Sequence, residues 1–172
     1  MSKYFKLTPA NLAIAAVIAA LYAVLTFATY EISYTGIQFR VSEALCVLPM
    51  IMPQAIPGLF IGCVISNFFS PNIAILDIIF GSLATLTAAV LTSKIKSKWL
   101  APLPAVLINA VVVGAVIAYS IGGFQNFGVN FAYNAMTVGV GEAVVCYGLG
   151  VPLLYFMKKL NLRILAAPSN RQ

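Results

Sequence analysis

Residues 30–49, YEISYTGIQFRVSEALCVLP, set a cluster of polar side chains between two apolar runs. The cluster consists of Glu31, Gln38, Arg40 and Glu43. The chain around it has 172 residues, of which 62% are hydrophobic and only 8% charged, against about 25% charged in a soluble domain. Because charges are costly in lipid, these side chains need either the membrane surface or polar partners inside a helical bundle.

The composition predicts an integral membrane protein. Four acidic and ten basic side chains are too few to cover a soluble fold of this size, so lipid is expected to solvate most of the exterior. The run from Ala10 to Ala28 spans 19 residues, which suits a bilayer crossing and exceeds the roughly 7 to 15 apolar residues of a signal peptide. We expect one transmembrane domain over residues 1–172.

Hydropathy, proline and charge predict an all-α bundle of six transmembrane helices. Fusing the second and third spans into one kinked element is the alternative, but it gives an odd number of crossings. With six crossings, nine of the ten basic residues lie on the side of the termini and only Arg40 lies opposite. The positive-inside rule then predicts cytoplasmic termini in a multi-pass membrane protein. The spans are approximately 9–29, 42–54, 57–69, 73–93, 102–121 and 132–157.

Several functions are disfavoured by what the sequence lacks. It contains no histidine, so we expect no catalytic site, no metal site and no cofactor. It contains no phosphate-binding loop of the GxxxxGK[ST] type, so energy from ATP would have to come from another subunit. The basic residues lie beside helix ends, which argues against nucleic-acid binding. The three cysteines have no CxxC spacing and are interpreted as small packing residues: Cys46, Cys63 and Cys146.

The acidic residues all fall on the predicted outer side. Glu31 and Glu43 flank the first outer loop, while Asp77 and Glu142 are expected in the outer halves of the fourth and sixth spans. Arg40 and Glu43 are three residues apart, so they suit either a structural ion pair or an arrangement that fixes the loop over a pocket. Tyr34 in that loop suits an aromatic belt or a platform that stacks on a ligand.

Small residues share a helix face with two of these acids. Gly81, Ala84, Thr85 and Ala88 follow Asp77, and Asn134, Val138 and Gly139 precede Glu142. These faces predict a cavity beside each carboxylate. The alternative is that small residues only let the helices approach, with the acids hydrogen-bonded to Asn109 or Asn67 across the bundle.

The first span carries an alanine-rich face that suits helix contact, either within the bundle or with a separate protein. The glycine pair Gly58 and Gly62 is a weaker signal of the same kind. The alanines are Ala15, Ala16, Ala19, Ala20 and Ala23.

Four blocks resemble the QueT family of substrate-binding S components of energy-coupling factor (ECF) transporters. They are GIQFRVSEALCVLP (36–49), PQAIPGLFIGCVISN (53–67), DIIFGSLATLTAA (77–89) and GVGEAVVCYGLGVPL (139–153). The resemblance implies a six-helix subunit that captures a queuosine precursor, a 7-deazaguanine base, outside the cell. It also implies as partners a transmembrane T component and two cytoplasmic ATPases. The small-residue stripe that faces the T component in such proteins maps best onto Ala16 and Ala20, and next onto Ala15 and Ala19.

A 7-deazaguanine presents adjacent N–H donors that suit a carboxylate, and an aminomethyl arm adds a cation for a second one. We therefore expect Glu43, Asp77 and Glu142 to form the polar core of the site, with Arg40 orienting Glu43. Supporting groups are Asn67, Asn109 and Asn134, with Gln38 and Tyr34 in an outer lid. Two alternatives remain open: an S component for another vitamin-like substrate, and a stand-alone proton-coupled transporter that uses Asp77 and Glu142. An intramembrane enzyme is disfavoured.

Overall fold

The computed structural model describes residues 8–33, 39–70 and 75–160, and every regular element in these ranges is helical. Tyr34 and Gln38, the two predicted lid residues, lie outside the described residues. The elements in chain order are α1 (Pro9–Ala28), α2 (Tyr30–Ser33), a 3-10 helix (Val41–Met50), α3 (Ala55–Phe68), a π-helical turn (Asp77–Gly81), α4 (Ser82–Thr92), α5 (Leu103–Gly122), α6 (Phe127–Val145), a second π-helical turn (Cys146–Gly150) and α7 (Val151–Lys159).

Local sequence explains where the long helices begin and end. The Thr8 side chain caps α1 by accepting a hydrogen bond from the Asn11 backbone N–H at 3.3 Å, and Pro9 occupies the first turn, where its missing N–H is not needed. Helix α5 ends at Gly123, whose φ of 55° is left-handed and therefore favours glycine. Pro152 cannot donate to the Gly148 carbonyl, and the α6–α7 helix passes through its π-helical turn at this point.

Three helices are long and apolar enough to cross a membrane: Pro9–Ala28, Leu103–Gly122 and the continuous run Phe127–Lys159. Three shorter apolar helices lie near the other predicted spans: Val41–Met50, Ala55–Phe68 and Asp77–Thr92. Many large apolar side chains are exposed around the bundle, including Val17, Val24, Leu107, Val111, Met136 and Val144. An exterior of this kind suits lipid, so the prediction of an all-helical membrane protein is confirmed.

The 3-10 helix lies in the interior of the bundle. Eight consecutive residues, Ser42 to Pro49, are buried, which requires neighbours on every side. One neighbour approaches especially closely: a Cβ on Gly150 would lie 3.0 Å from Val47 Cγ1 and 3.1 Å from the Ala44 carbonyl oxygen. Runs of 3-10 helix beyond three or four residues are uncommon, so this ten-residue example marks an unusual and central element.

Glycines on α3 bring it against α1. A Cβ on Gly58 would lie 2.6 Å from the Ala15 carbonyl oxygen, and one on Gly62 would lie 2.7 Å from Tyr22 Cβ. The contacts advance in the same direction along both chains, so α1 and α3 run parallel. The predicted helix contact at Gly58 and Gly62 is thus confirmed. It also positions Tyr22, which is fully buried, toward the 3-10 helix.

Helices α5 and α6 form an antiparallel pair. A Cβ on Gly114 would meet the Ala135 backbone at 2.8 Å, and one on Gly139 would lie 3.2 Å from Ala110 Cβ. This close approach aligns Asn109 on α5 with Glu142 on α6. Small residues therefore allow the two polar side chains to meet inside the bundle.

Candidate functional site

Glu43 is the most deeply buried acid of the described residues, with no exposed surface. The Tyr22 hydroxyl of α1 donates to Glu43 Oε1, and the Cys46 thiol donates to Oε2 at 2.7 Å. The 3-10 geometry explains the second contact, because residues three apart eclipse one another in such a helix. Both partners are neutral groups.

Arg40 takes a different position from the one we predicted. Its guanidinium donates to Asn67 Oδ1 on α3, whereas the donors to the Glu43 carboxylate are Tyr22 and Cys46. The Asn67 amide in turn donates to the Asp77 carbonyl oxygen at 3.0 Å. Arg40 therefore ties the start of the 3-10 helix to α3 and the Asp77 segment, and the orienting of Glu43 falls to Tyr22 and Cys46.

Glu142 lies near the midpoint of the continuous helix Phe127–Lys159. Its side chain is 5% exposed. Asn109 Nδ2 donates to Oε1 at 2.7 Å, and the Cys146 thiol donates to Oε2 at 3.4 Å. The contact between Asn109 and Glu142 is the cross-bundle hydrogen bond of our structural alternative.

The two glutamates belong to one buried polar cluster. The Cys146 thiol lies 3.4 Å from both the Glu43 backbone carbonyl oxygen and Glu142 Oε2, so it bridges the 3-10 helix and the α6–α7 helix. The two carboxylates also interact electrostatically. We call Tyr22, Glu43, Cys46, Asn109, Glu142 and Cys146 the glutamate cluster.

Asp77 stands apart from this cluster. It is half-buried in the first π-helical turn, and its backbone is held by Asn67, while its carboxylate interacts electrostatically with Arg40. The small residues that we expected to leave space beside it are themselves buried against the bundle: Gly81, Ala84, Thr85 and Ala88. The structure therefore joins two of the three predicted acids, Glu43 and Glu142.

Asn134 makes a local contact rather than one with the glutamate cluster. It is 7% exposed, and its amide donates to the Asn130 backbone carbonyl oxygen at 2.7 Å, one turn back on the same helix.

Asn109 differs from Asn134, because only one of its two polar side-chain atoms has a hydrogen-bond partner among the described residues. Its Nδ2 binds Glu142, but its Oδ1 is buried with no hydrogen-bond partner in the part of the chain that the structure describes. A buried acceptor of this kind is available to a donor from a ligand.

The cysteines are more than packing residues. All three are buried, as expected, but Cys46 and Cys146 donate to the two glutamates, and Cys63 accepts from Thr85 Oγ1 at 3.4 Å. The spacing contained a usable signal: Glu43 and Cys46 are three apart, and Glu142 and Cys146 are four apart, which places each pair on one helix face. The sequence offered no comparable signal for Tyr22, which we did not predict.

The alanine-rich face of α1 divides into two. Ala15 and Ala19 are buried, with Gly58 and Gly62 of α3 packed against their backbones. Ala16 and Ala20 are exposed on the outside of the bundle. The second choice for partner docking, Ala15 and Ala19, is therefore occupied by internal packing, and Ala16 with Ala20 is the pair left accessible.

Comparison with known proteins gives two matches and one negative result. The model of the family described as "QueT transporter" matches residues 12–159. The queuosine precursor transporter QueT of Lactococcus lactis subsp. cremoris (strain MG1363) is 45% identical over 73 residues, which cover 41% of this chain and 42% of that protein. No solved structure matches. The family model covers the helices that supply the whole glutamate cluster, and we conclude that the chain belongs to the QueT transporter family.

Proposed function

We propose that this protein is the substrate-binding S component of an ECF importer and captures a queuosine precursor, a 7-deazaguanine base, from outside the cell. The observation that carries the proposal is the pair of buried carboxylates, Glu43 and Glu142, within a chain of the QueT transporter family. The relative from Lactococcus lactis is a queuosine precursor transporter, which supports the proposed substrate. Release of the base inward would require a T component and two ATPase subunits.

The proposed topology has six crossings with both termini in the cytoplasm, in the bacterial plasma membrane. It is supported by the six apolar helices and by the parallel packing of α1 on α3, which requires the 3-10 helix to return the chain between them. It also leaves Arg40 as the single basic residue on the outer side. This distribution agrees with the positive-inside rule.

Glu43 and Asn109 have the chemistry to read a deazaguanine. The base offers a ring N–H and an exocyclic amino group side by side, which match the two oxygens of a carboxylate. Tyr22 and Cys46 each donate to one Glu43 oxygen and hold the carboxylate in place, and a carboxylate has about four acceptor positions, so positions remain for the two donors of the base. The unused Asn109 Oδ1 supplies another acceptor nearby. A site of this kind selects donor-rich, uncharged or cationic ligands over anionic vitamins.

The direct test is titration of the purified chain, without ATP or partners, with 7-cyano-7-deazaguanine and 7-aminomethyl-7-deazaguanine. We expect binding of a deazaguanine that Glu43→Gln weakens by tenfold or more, because a hydrogen bond to a charged group is worth about 1.5 to 3 kcal/mol and each 1.4 kcal/mol or so is a factor of ten. Glu31→Gln, an exposed change on α2, is the matched control. Tight binding of thiamin or riboflavin instead would identify another S component. Uptake by this chain alone, driven by a pH gradient, would identify a stand-alone transporter.

Docking on the T component is assigned to Ala16 and Ala20, the exposed pair on α1. Leucine at either position is expected to leave binding by the isolated chain unchanged and to stop uptake by the assembled transporter, because a bulky side chain separates two closely packed helices. Val17→Leu, at a side chain that is 58% exposed beside Ala16, is the control for added bulk toward lipid. Equal loss of uptake in the control would argue against this surface.

A further inference from the structure

We propose that Glu142 carries a proton when the protein is empty and exchanges that proton for the cationic arm of an aminomethylated ligand. The inference rests on the proposed function, because it concerns how the same site takes a deazaguanine. It adds a stoichiometric event, release of one proton per cation bound, and assigns that event to a particular side chain.

Glu142 has no charged hydrogen-bond partner among the described residues. Its polar partners within residues 8–33, 39–70 and 75–160 are the Asn109 amide and the Cys146 thiol, both neutral. The side chain is 5% exposed. An ionised carboxylate isolated in such an environment is costly, and a group in this position becomes neutral by binding a proton.

Glu142 also has a second acid, Glu43, as a neighbour. Glu43 is fully buried, its carbonyl oxygen and the Glu142 carboxylate share the Cys146 thiol, and the two carboxylates act on each other electrostatically. Two carboxylates that share one low-dielectric site do not both ionise readily. Tyr22 and Cys46 both donate closely to Glu43, whereas the Cys146 thiol lies 3.4 Å from Glu142, so we assign the proton to Glu142.

The remaining ionisable groups around Glu142 do not supply a local counterion. The 3-10 helix contributes Glu43 and the Cys46 thiol, and the second π-helical turn contributes Cys146. Helix α5 contributes the neutral Asn109. Arg40 acts on Glu142 electrostatically, but its guanidinium donates to Asn67 on α3, and Asp77 interacts with the same arginine.

Asn109 and Glu142 together offer a set of acceptors that suits an ammonium group. A primary ammonium has three N–H donors. Asn109 Oδ1 is buried without a partner in the described structure, beside the Glu142 carboxylate that its own Nδ2 contacts. Once deprotonated, Glu142 and this amide oxygen together offer acceptors for such a group, with Glu43 left to accept from the base.

The exchange balances charge. The protonated Glu142 side chain loses its proton to the external solution, and the ligand ammonium replaces it, so one positive charge enters the site as another leaves. The net charge of the buried cluster stays constant, which avoids the cost of adding a charge to the membrane interior. A neutral 7-cyano-7-deazaguanine has no cation to exchange and would leave the proton in place.

Calorimetric titration in buffers of different ionisation enthalpy measures protons released on binding. With 7-aminomethyl-7-deazaguanine we expect about one proton released per ligand, and an affinity that rises with pH by up to about tenfold per unit while the ligand amine stays charged, below its ordinary titration near pH 10. With 7-cyano-7-deazaguanine we expect neither. Glu142→Gln should bind the cationic ligand more weakly with no proton release, whereas Glu31→Gln should behave as the unmodified protein.

An infrared difference spectrum provides a readout that needs no variant. Addition of the cationic ligand to the unmodified protein should remove the C=O stretch of a protonated carboxyl group and add a carboxylate band, whereas the cyano ligand should not. Binding of the cationic ligand without proton release, or an unchanged carboxyl band, would overturn this inference and leave the proposed function intact. Failure to bind either deazaguanine would overturn the proposed function itself.

Discussion

Gly62→Ala tests whether the contact between α1 and α3 positions the binding site. A Cβ at residue 62 would lie 2.7 Å from Tyr22 Cβ and 2.9 Å from the Ala19 carbonyl oxygen. Ordinary contact begins at 3.4 Å, so Tyr22 Cβ has to move by at least 0.7 Å. The obstacle is the root of a buried side chain and a backbone atom, and neither can rotate away. Helix α1 must therefore shift as a body, which moves the Tyr22 hydroxyl away from Glu43.

Two opposing contributions set the expected change in the free energy of unfolding of Gly62→Ala. Overpacking of this kind costs about 1 to 3 kcal/mol, whereas replacing a helical glycine by alanine returns about 0.5 to 1 kcal/mol. The centre of the resulting range is a net loss of about 1 kcal/mol, which corresponds to a Tm lower by roughly 2 to 4 °C on the scale of soluble domains of this size. The loss of alignment at Glu43 should also weaken deazaguanine binding by tenfold or more.

Gly128→Ala is the matched control, because Gly128 is an exposed helical glycine with nothing within 4 Å of its added Cβ. It should keep or raise the Tm, since only the helix-propensity term applies. Thermal unfolding in detergent and equilibrium titration measure the two effects separately. If Gly62→Ala were as stable as Gly128→Ala and bound ligand equally well, the close contact at Tyr22 would not support the site.

Three further outcomes follow from the contacts of single side chains. Asn134→Ala should change deazaguanine affinity by less than about threefold, because the Asn134 amide contacts its own helix. In the same titration, Asn109→Ala should reduce affinity by about tenfold or more, because the Asn109 amide donates to Glu142. Cys46→Val should weaken deazaguanine binding, whereas Cys46→Ser should largely retain it, since serine keeps a donor for Glu43. If the two variants changed affinity equally, the thiol would matter only for its size. Lys98→Gln removes a cation that lies 3.8 Å from the Tyr155 ring centroid, and should lower stability by about 0.5 to 1 kcal/mol without altering affinity.

The sequence predicted the large features because they depend on hydropathy and small residues. The apolar runs located the helices to within a few residues, with the start of α6 as the main discrepancy, and the glycines at 58 and 62 indicated a close helix contact that the structure contains. Both signals are local. They depend on what each residue contributes by itself to burial or to steric room.

The site was harder to predict because it depends on how distant elements meet. Tyr22 and Glu43 are 21 residues apart, and Asn109 and Glu142 are 33 apart, and nothing in the sequence specifies these pairings. Arg40 was paired with Glu43 on the basis of helical spacing, but its guanidinium reaches Asn67 on another helix. The family resemblance ranked Ala16 and Ala20 ahead of Ala15 and Ala19, but only the position of α3 shows that the second pair is buried in the bundle.

The ten residues from Val41 to Met50 reach farther than their number suggests. At about 2.0 Å per residue, a 3-10 helix of this length extends roughly 20 Å, whereas an α-helix of ten residues extends roughly 15 Å. For the same number of residues, this segment is thinner and longer than an α-helix would be. A conversion of residue number into length that uses the α-helical rise therefore underestimates the length of this segment by about 5 Å.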